Sequence, residues 1–246
     1  MQASIEQQHA GVDGTEHPAV ERTRVWDLPT RIFHWSFAAT FALAWLTSES
    51  EKLADLHLML GYTFGGLLLF RLIWGILGSR YARFSSFLFQ PSALLRYLRS
   101  LLSGAPEHHL GHNPAGALAI FLMLGLALAV AISGVATSQD LGGEWLEELH
   151  EGAASAMLAV VAIHIAGVIV SSVLHRENLA LAMVTGWKQG RAADGIARFH
   201  HVLGILLLLA VFGFWGLWQS GVAVDWLPAP TAAVGEHHGY AGDDDD

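Results

Sequence analysis

The most constraining feature of this chain is a set of long apolar runs, two of which are free of charge. Residues 115–135 and 152–174 contain no Asp, Glu, Lys or Arg. A helix needs about 20 mostly apolar residues to cross about 30 Å of hydrocarbon. These runs are apolar on every face, whereas a membrane β-barrel needs strands of alternating polarity. The sequence therefore predicts an all-α membrane protein.

Five spans are predicted from the apolar runs. Their bounds are about 31–48, 55–78, 114–137, 150–174 and 199–220. Asn113 and Pro114 match the N-cap and the first residue of the third span, because proline at that position costs no helical hydrogen bond. Residues 1–24 lack an apolar segment typical of a cleaved signal peptide, so the first span is expected to remain as an anchor.

Composition excludes several classes of protein. Apolar residues make up 53% of the chain and charged residues 14%, with a mean hydropathy of +0.42. The absence of cysteine excludes disulfides, thiolate metal sites and covalent attachment of haem. A net charge of −9 argues against nucleic acid as a partner. The chain contains fourteen histidines but only thirteen lysines and arginines together, which is an unusually high share of histidine.

The basic residues predict the orientation. Eleven of the thirteen lie before span one, between spans two and three, or between spans four and five. By the positive-inside rule the N-terminus is cytoplasmic and, with five spans, the C-terminus is outside. The opposite side carries an acidic set made of Glu49, Glu51, Asp55, Asp140, Glu144, Glu147, Glu148 and Glu151.

Four histidines lie in the spans, where ionisable side chains are costly and indicate function. His34 lies near the cytoplasmic end of span one, whereas His57 and His150 lie at the outer ends of spans two and four. His164 follows His150 by fourteen residues, which is about 21 Å and nearly four full turns of helix. The spacing predicts two pairs at matching depths, His57 with His150 and His34 with His164.

Two facing imidazoles at one depth of an apolar bundle suit a haem iron with both axial positions filled. Small residues follow the four histidines at helical spacing and would let a porphyrin approach; they include Ala38, Ala42, Gly61, Gly65, Gly152 and Gly167. Two other interpretations stay open at this point. A histidine in a span also hydrogen-bonds a neighbouring helix, and histidines also form bare metal sites or transport pathways.

Two arginines are candidates to bind haem propionates, because an arginine fork matches a carboxylate. Arg71 lies fourteen residues after His57, on nearly the same face and about 21 Å deeper. Arg31 lies one turn before His34. In the alternative interpretation both side chains reach toward the lipid headgroups.

Several motifs occur in a specific order across residues 25–190. They are VWDLPTRIFHW (25–35), LHLMLGY (56–62), FRLIWG (70–75), LGHNPAGAL (110–118), the His150 and His164 pair, and HRENLALAMVTGWK (175–188). With these motifs the chain resembles the bacterial cytochrome b561 family, which includes the b-type cytochrome subunit of nickel–iron hydrogenases.

The resemblance implies a four-helix transmembrane bundle with two non-covalent haem b groups, to which the fifth helix is an addition. It implies a ligand role for His34, His57, His150 and His164. Iron with both axial positions filled suits one-electron transfer, so we expect an electron-transfer protein rather than a stand-alone enzyme. The expected place is a bacterial inner membrane, between the quinone pool and a periplasmic c-type cytochrome or a peripheral redox subunit.

Alternatives remain for the function. The chain would instead anchor a hydrogenase or a similar oxidoreductase, or it would be a haem-free transporter or metal-binding protein. The acidic set would steer a basic partner, or it is acidic only because basic residues are sorted inward. His200 and His201 would ligate another haem, line a quinone site, or lie at the headgroups.

The expected organisation has four parts. Residues 1–24 form a flexible cytoplasmic arm, 25–190 the di-haem core, 191–227 the additional transmembrane helix, and 228–246 a disordered acidic tail. Within the core, a short amphipathic helix is expected in the long basic loop, around Ser92 to Leu102.

Overall fold

A computed structural model describes residues 21–103 and 107–222. Seven α-helices occur in these ranges: α1 (Leu28–Thr47), α2 (Ala54–Leu77), α3 (Pro91–Leu102), α4 (Pro114–Ser138), α5 (Glu144–His175), α6 (Leu179–Thr185) and α7 (His201–Gln219). Two short strands, β1 (Arg22–Arg24) and β2 (Trp187–Gln189), complete the regular structure together with three 3₁₀ turns. The all-helical expectation is confirmed for this part of the chain apart from the small sheet.

Side-chain caps fix where three of the helices begin, at Asp27 for α1, Asn113 for α4 and Asn178 for α6. Asn113 accepts a hydrogen bond from the Gly116 amide at 2.7 Å, which confirms it as the N-cap of α4. Asp27 caps α1 in the same way through Thr30 N at 2.9 Å. These caps satisfy amide groups that a helix leaves unpaired in its first turn.

The observed bounds differ most from the expected ones at α5. This helix begins at Glu144, six residues before the expected start at His150. Glu144 and Glu147 lie in its first turn, where the helix dipole favours negative charge. The acidic residues before His150 are therefore helical, although their polarity placed them outside the span that was expected from the apolar run. The amphipathic helix expected around Ser92 to Leu102 is observed as α3.

Four of the described helices are long and apolar enough to cross a membrane. They are α2 with the preceding turn from Glu51, α4, α5 and α7. Only 11% of the most apolar window of α5, and 17% of that of α4, is buried, so most of their apolar side chains face outward as lipid requires. The chain is a multi-pass membrane protein. α1 is not among the four, because its twenty residues include Arg31, His34 and several hydroxyl side chains.

The helices pack as two hairpins joined through α2 and α4. α1 packs along α2, and α4 packs along α5. Between the hairpins lies a core made of Phe41, Phe64, Leu68, Ala127 and Met157. Among the described helices, neither α1 nor α2 packs closely on α5. The backbone of α5 thus lies farther from α1 and α2 than from α4, although the Met157 side chain of α5 reaches the shared core.

A two-stranded antiparallel sheet closes one end of the bundle and corrects an expectation. Residues 22–24 were expected to belong to a flexible arm, but they form β1, in which Thr23 pairs with Lys188 of β2. Thr23 is buried, and Gly186 O accepts a hydrogen bond from Val25 N at 2.9 Å. Gly186 has a φ of +88°, and a Cβ there would lie 2.7 Å from Trp26 O, so the junction requires glycine.

Other expectations lie outside the described residues. They concern residues 1–20 of the arm, residues 223–227 of the additional-helix segment and the tail 228–246.

Candidate functional site

His57 and His150, called the outer pair after the orientation expected from the sequence, lie on α2 and α5, and His34 and His164 are called the inner pair. The ring centroids of His57 and His150 are 6.3 Å apart, and the ring planes are inclined by 78°. The two rings face each other although the backbones of their helices do not pack closely. The sequence expectation that these two residues lie at one depth agrees with this geometry.

Both outer imidazoles are held through Nδ1. His57 Nδ1 lies 2.9 Å from Ala44 O of α1, and His150 Nδ1 lies 3.0 Å from Val130 O of α4. The Ser133 hydroxyl lies 3.3 Å from the same His150 nitrogen. A carbonyl can only accept, so each Nδ1 carries the proton and each Nε2 keeps its lone pair. In this protonation state the Nε2 atom of each ring has a lone pair available to bind a metal ion.

Gly134 makes the contact between His150 and α4 possible. A Cβ at this position would lie 2.8 Å from Cε1 and 3.0 Å from Nδ1 of His150, closer than side chains pack. Sequence reasoning missed this residue, because a glycine in a charge-free apolar run gives no signal of its own. The absent side chain lets the imidazole ring rest directly on the helix backbone.

The inner pair is held differently. His34 and His164 are close enough for an electrostatic interaction. His34 Nδ1 is buried and has no hydrogen-bond partner within the described part of the chain. Within the described residues, His34 thus lacks the carbonyl contact that holds each outer ring.

Arg71 is buried within the protein near the inner pair. Its guanidinium donates to Ala82 O at 3.0 Å and lies 4.7 Å from the centre of the Phe84 ring. Only 4% of the residue is exposed, so it does not extend to the headgroup region as one interpretation held. Its electrostatic partner is Asp27, whose carboxylate accepts from Trp74 Nε1 at 3.1 Å. The structure thus provides a buried cation beside a buried, hydrogen-bonded carboxylate.

Arg31 has a different environment. Its Nη2 donates to Val184 O at the end of α6, and its Nε is buried without a partner among the described residues. The side chain borders an open apolar groove of about 450 Å³ between α1 and α7, also lined by Leu28, Ile32, Trp35, Ser36, Val184 and Leu208. A propionate role for Arg31 remains a prediction.

His112, in the loop just before α4, lies near the inner pair. Its ring packs against Trp26 at 4.7 Å and Phe87 at 4.5 Å between centroids. Burial, together with the smaller effect of the positive charges of Arg71 and Lys188, lowers the pKa of His112 to about 3. The imidazole is therefore neutral, and its buried Nδ1 has no partner among the described residues.

Open space adjoins several of the small residues near the histidines. A Cβ added to Gly61, Gly65, Gly152 or Gly167 would meet no other described atom within 4 Å beyond its own helix surroundings. Gly61 and Gly65 share the His57 face of α2. Ala38 and Ala42 are exposed on α1. These small residues therefore adjoin open space rather than a packed neighbour.

α7 is fastened to the face of α2 opposite His57. Trp218 Nε1 donates to both carboxylate oxygens of Asp55, at 3.2 and 3.1 Å, and Trp215 Nε1 donates to Thr63 Oγ1 at 2.9 Å. Asp55 and Thr63 lie on the side of α2 that points away from the His57 ring. α7 therefore supports the helix that carries an outer histidine.

The paired histidines at the entry of α7 have aromatic neighbours. The ring of His200 lies edge-on to Trp74 at 5.1 Å, and His201 stacks on Phe199 at 5.3 Å. These contacts fasten the beginning of α7, and the haem and quinone roles considered from the sequence remain predictions.

A buried ion pair closes the end of the bundle near the sheet. Lys188 Nζ lies 3.8 Å from Glu177 Oε2, with 6% and 9% of the side chains exposed. Burial lowers the pKa of Lys188, and Glu177 opposes that shift. Lys188 also donates to His109 O at 3.1 Å, which ties β2 to the loop before α4.

Within residues 21–103 and 107–222, no three or more His, Cys, Asp or Glu side chains are grouped to hold a metal ion. The candidate metal ligands are instead two pairs of histidines, His57 with His150 and His34 with His164.

Comparison with known proteins identifies the family. A sequence model described as prokaryotic cytochrome b561 matches residues 25–186. No curated protein and no solved structure matches the chain. The matched segment contains both histidine pairs and ends just before β2, whereas α7 lies beyond it. Because the match covers more than half of the 246 residues, the chain belongs to the prokaryotic cytochrome b561 family, whose members are membrane b-type cytochromes that take part in electron transfer.

Proposed function

We propose that the chain binds two haem b groups and carries single electrons across a bacterial inner membrane. His57 and His150 would ligate the outer haem, and His34 and His164 the inner one. The electrons pass between the quinone pool and a periplasmic or peripheral redox partner. The observation that carries this proposal is the facing outer pair with both Nδ1 atoms bonded to carbonyls.

The outer geometry fits an iron between two imidazoles. An imidazole nitrogen binds a metal at about 2 Å, so rings on opposite sides of one ion have centroids roughly 6 Å apart. The distance of 6.3 Å between the His57 and His150 rings agrees with this requirement. A donated Nδ1 proton fixes the ring orientation and leaves Nε2 as the ligand atom.

The inner level fits less completely but has complementary chemistry. His34 and His164 are close enough for an electrostatic effect of one on the other, and Arg71 supplies a buried positive charge suited to a propionate carboxylate. The unpartnered Nδ1 atoms of His34 and His112 are buried polar groups that need an acceptor or a ligand.

Space for the macrocycles is supported by the packing. α5 is not closely packed on α1 or α2 among the described helices, and Gly61, Gly65 and Gly167 adjoin open space. Apolar side chains such as Phe64 and Met157 separate the two levels and exclude water. When bound, haem b would supply the Fe(III)/Fe(II) couple. The chain's own residues orient the imidazoles and keep the site dry.

The membrane topology belongs to the same proposal. α1 would form the first of five spans beside the four apolar helices, with the N-terminus in the cytoplasm and the C-terminus outside. Arginines at the ends of α1 and α2 and in the loop to α4 support this orientation. The exposed acidic start of α5 supports docking of a basic c-type cytochrome or peripheral subunit beside the outer haem.

A pigment assay tests the proposal. The purified chain, expressed with sufficient haem, is examined by a reduced-minus-oxidised spectrum and by the pyridine haemochrome method. We expect a b-type spectrum and about two haems per chain, because each histidine pair fills both axial positions of one iron. A colourless protein contradicts the proposal, and a stoichiometry of one haem restricts it to one pair.

A further inference from the structure

We infer that the groove between α1 and α7 binds one phospholipid with an anionic headgroup, with an acyl chain in the groove and the phosphate at Arg31. The inference goes beyond the proposed function and requires no haem at either histidine pair. It assigns to Arg31 a lipid phosphate instead of a haem propionate. One wall of the groove is α7, which lies outside the segment that matches the family.

The groove follows a single face of α1. Its lining residues on this helix recur at spacings of three and four residues, which places them in one stripe. They are Leu28, Arg31, Ile32, Trp35 and Ser36. His34 lies on a different face, roughly 130° around the helix axis from the centre of this stripe. The groove is therefore separate from the face of α1 that carries the inner histidine.

The dimensions of the groove suit a hydrocarbon chain. Its volume is about 450 Å³, which is within the range of small-molecule sites. From Leu28 to Ser36 it follows about 12 Å of helix. α1 and α7 touch at the start of α7, where a Cβ on Gly204 would lie 2.7 Å from Leu28 Cγ. One turn further along α7, Leu208 borders open space.

The polar part of the groove is nearer to the start of α1. Arg31 is half-buried there, and its Nη2 donates to Val184 O, which holds the guanidinium beside the groove. A guanidinium has five N–H donors, so one bond to a carbonyl leaves others for a phosphate. Further along the groove, Trp35 and Leu208 present exposed apolar surface. A charged end followed by apolar walls matches a headgroup with its acyl chain and does not match a free phosphate ion.

Arg24 adds positive charge at the same end. Its Cζ lies 4.5 Å from the centre of the Phe199 ring. The same ring is a neighbour of Arg31, because a Cβ on Gly186 would lie 3.4 Å from Phe199 Cε1 and 3.3 Å from Arg31 Nη1. Neither arginine belongs to an ion pair within the described part of the chain. Two such cations beside a groove between membrane helices favour an anionic headgroup.

Asp27 does not occupy the place of the phosphate. Its charge acts on Arg31, but its two carboxylate oxygens accept from Thr30 N at 2.9 Å and from Trp74 Nε1 at 3.1 Å. The residue is fully buried and does not line the groove. An anion on the groove side of Arg31 therefore binds without displacing this carboxylate.

Native mass spectrometry of the full chain in detergent tests the inference. The protein is titrated with phosphatidylglycerol or with phosphatidylcholine of the same acyl chains. We expect one phosphatidylglycerol to bind about tenfold more tightly than phosphatidylcholine, because the arginines favour the net negative charge. Equal affinity for the two lipids overturns the inference. A groove that retains a co-purified quinone and excludes phosphatidylglycerol overturns it as well.

A pair of variants on α7 locates the bound lipid. Leu208→Trp fills the groove and leaves Arg31 in place, so we expect it to bind phosphatidylglycerol about tenfold less tightly than the wild type. The matched control is Leu209→Trp, whose position is 60% exposed and does not line the groove, and it should bind as the wild type does. Equal binding in the two variants overturns the inference.

Arg31→Gln tests the headgroup contact separately. We expect this variant to lose most of the preference for phosphatidylglycerol over phosphatidylcholine, whereas Arg99→Gln, at an exposed position on α3, should keep it. An unchanged preference in Arg31→Gln contradicts the role of this side chain. Because lipids are counted without reference to haem, a colourless protein would overturn the proposed function and leave this result valid.

Discussion

The rings of His57 and His150 lie 6.3 Å apart, each bonded through Nδ1 to a carbonyl of a different helix. His57 of α2 reaches α1, and His150 of α5 reaches α4. Four helices are therefore joined at the outer level by two side chains, although α2 and α5 do not pack closely. The orientation of both rings is therefore set by backbone atoms of the fold.

Gly134 provides a steric test of this arrangement. We expect Gly134→Ala to displace the His150 ring, because the new Cβ would lie 2.8 Å from Cε1. The protein should then lose most of one haem in the pyridine haemochrome assay. The control is Gly125→Ala on the same helix, where a Cβ meets no described neighbour within 4 Å. Alanine stabilises a helix by up to about 1 kcal/mol relative to glycine, so neither substitution should weaken the helix itself. A loss of haem in Gly134→Ala but not in Gly125→Ala is therefore due to the steric effect on His150.

The attachment of α7 to α2 predicts a change in stability. Trp218→Phe keeps an aromatic ring against Met59 but removes the donor to Asp55. Loss of one hydrogen bond to a charged group costs about 1.5 kcal/mol, which lowers the Tm of a chain of this length by about 3–6 °C. Thermal denaturation of the two proteins in detergent measures this difference in Tm. Trp145→Phe at a 60% exposed position is the control, and an equal Tm in both variants contradicts the role of the bond.

The buried pair Lys188 and Glu177 predicts a non-additive result. Lys188→Met leaves the Glu177 carboxylate buried without its partner, which costs about 3–5 kcal/mol. The double variant Lys188→Met with Glu177→Gln should recover much of that loss, because neither charge is then buried alone. Melting curves of the single and double variants check this coupling. Additive losses would show that the two side chains act independently.

The low pKa of His112, about 3, predicts a dependence of stability on pH. The unfolded histidine titrates near the ordinary value of about 6.5. Between these values the unfolded chain binds a proton that the folded chain does not, so stability falls as pH decreases from about 6.5 toward 3. Thermal denaturation at several pH values should show a smaller dependence in His112→Gln. His108→Gln, at an exposed ring, is the control and should retain the wild-type slope.

The spans and the histidine depths could be predicted from the sequence because they depend on local properties. Apolar runs set the helices, and Asn113 before Pro114 marks the start of α4. Pro29 likewise marks the start of α1, whereas the N-cap Asp27 is not indicated by the apolar run, because it precedes the expected start of the span at residue 31.

The remaining features depend on contacts between distant segments. The pairing of β1 with β2 joins residues more than 160 positions apart, which no local pattern indicates. The carbonyl partners of His57 and His150 depend on how the neighbouring helices are placed. Because every residue has a backbone carbonyl, the sequence does not indicate which one will be the partner. The docking of α7 on Asp55 likewise requires the tertiary packing.

Haem stoichiometry in single histidine variants tests the central claim most directly. Each of His34→Ala, His57→Ala, His150→Ala and His164→Ala is purified, and bound haem is counted per chain by the pyridine haemochrome method, with His201→Ala as a control outside the pairs. The account predicts about two haems in the control and about one in each of the four variants, with the same haem lost within a pair. Two haems retained in any of the four variants would contradict it.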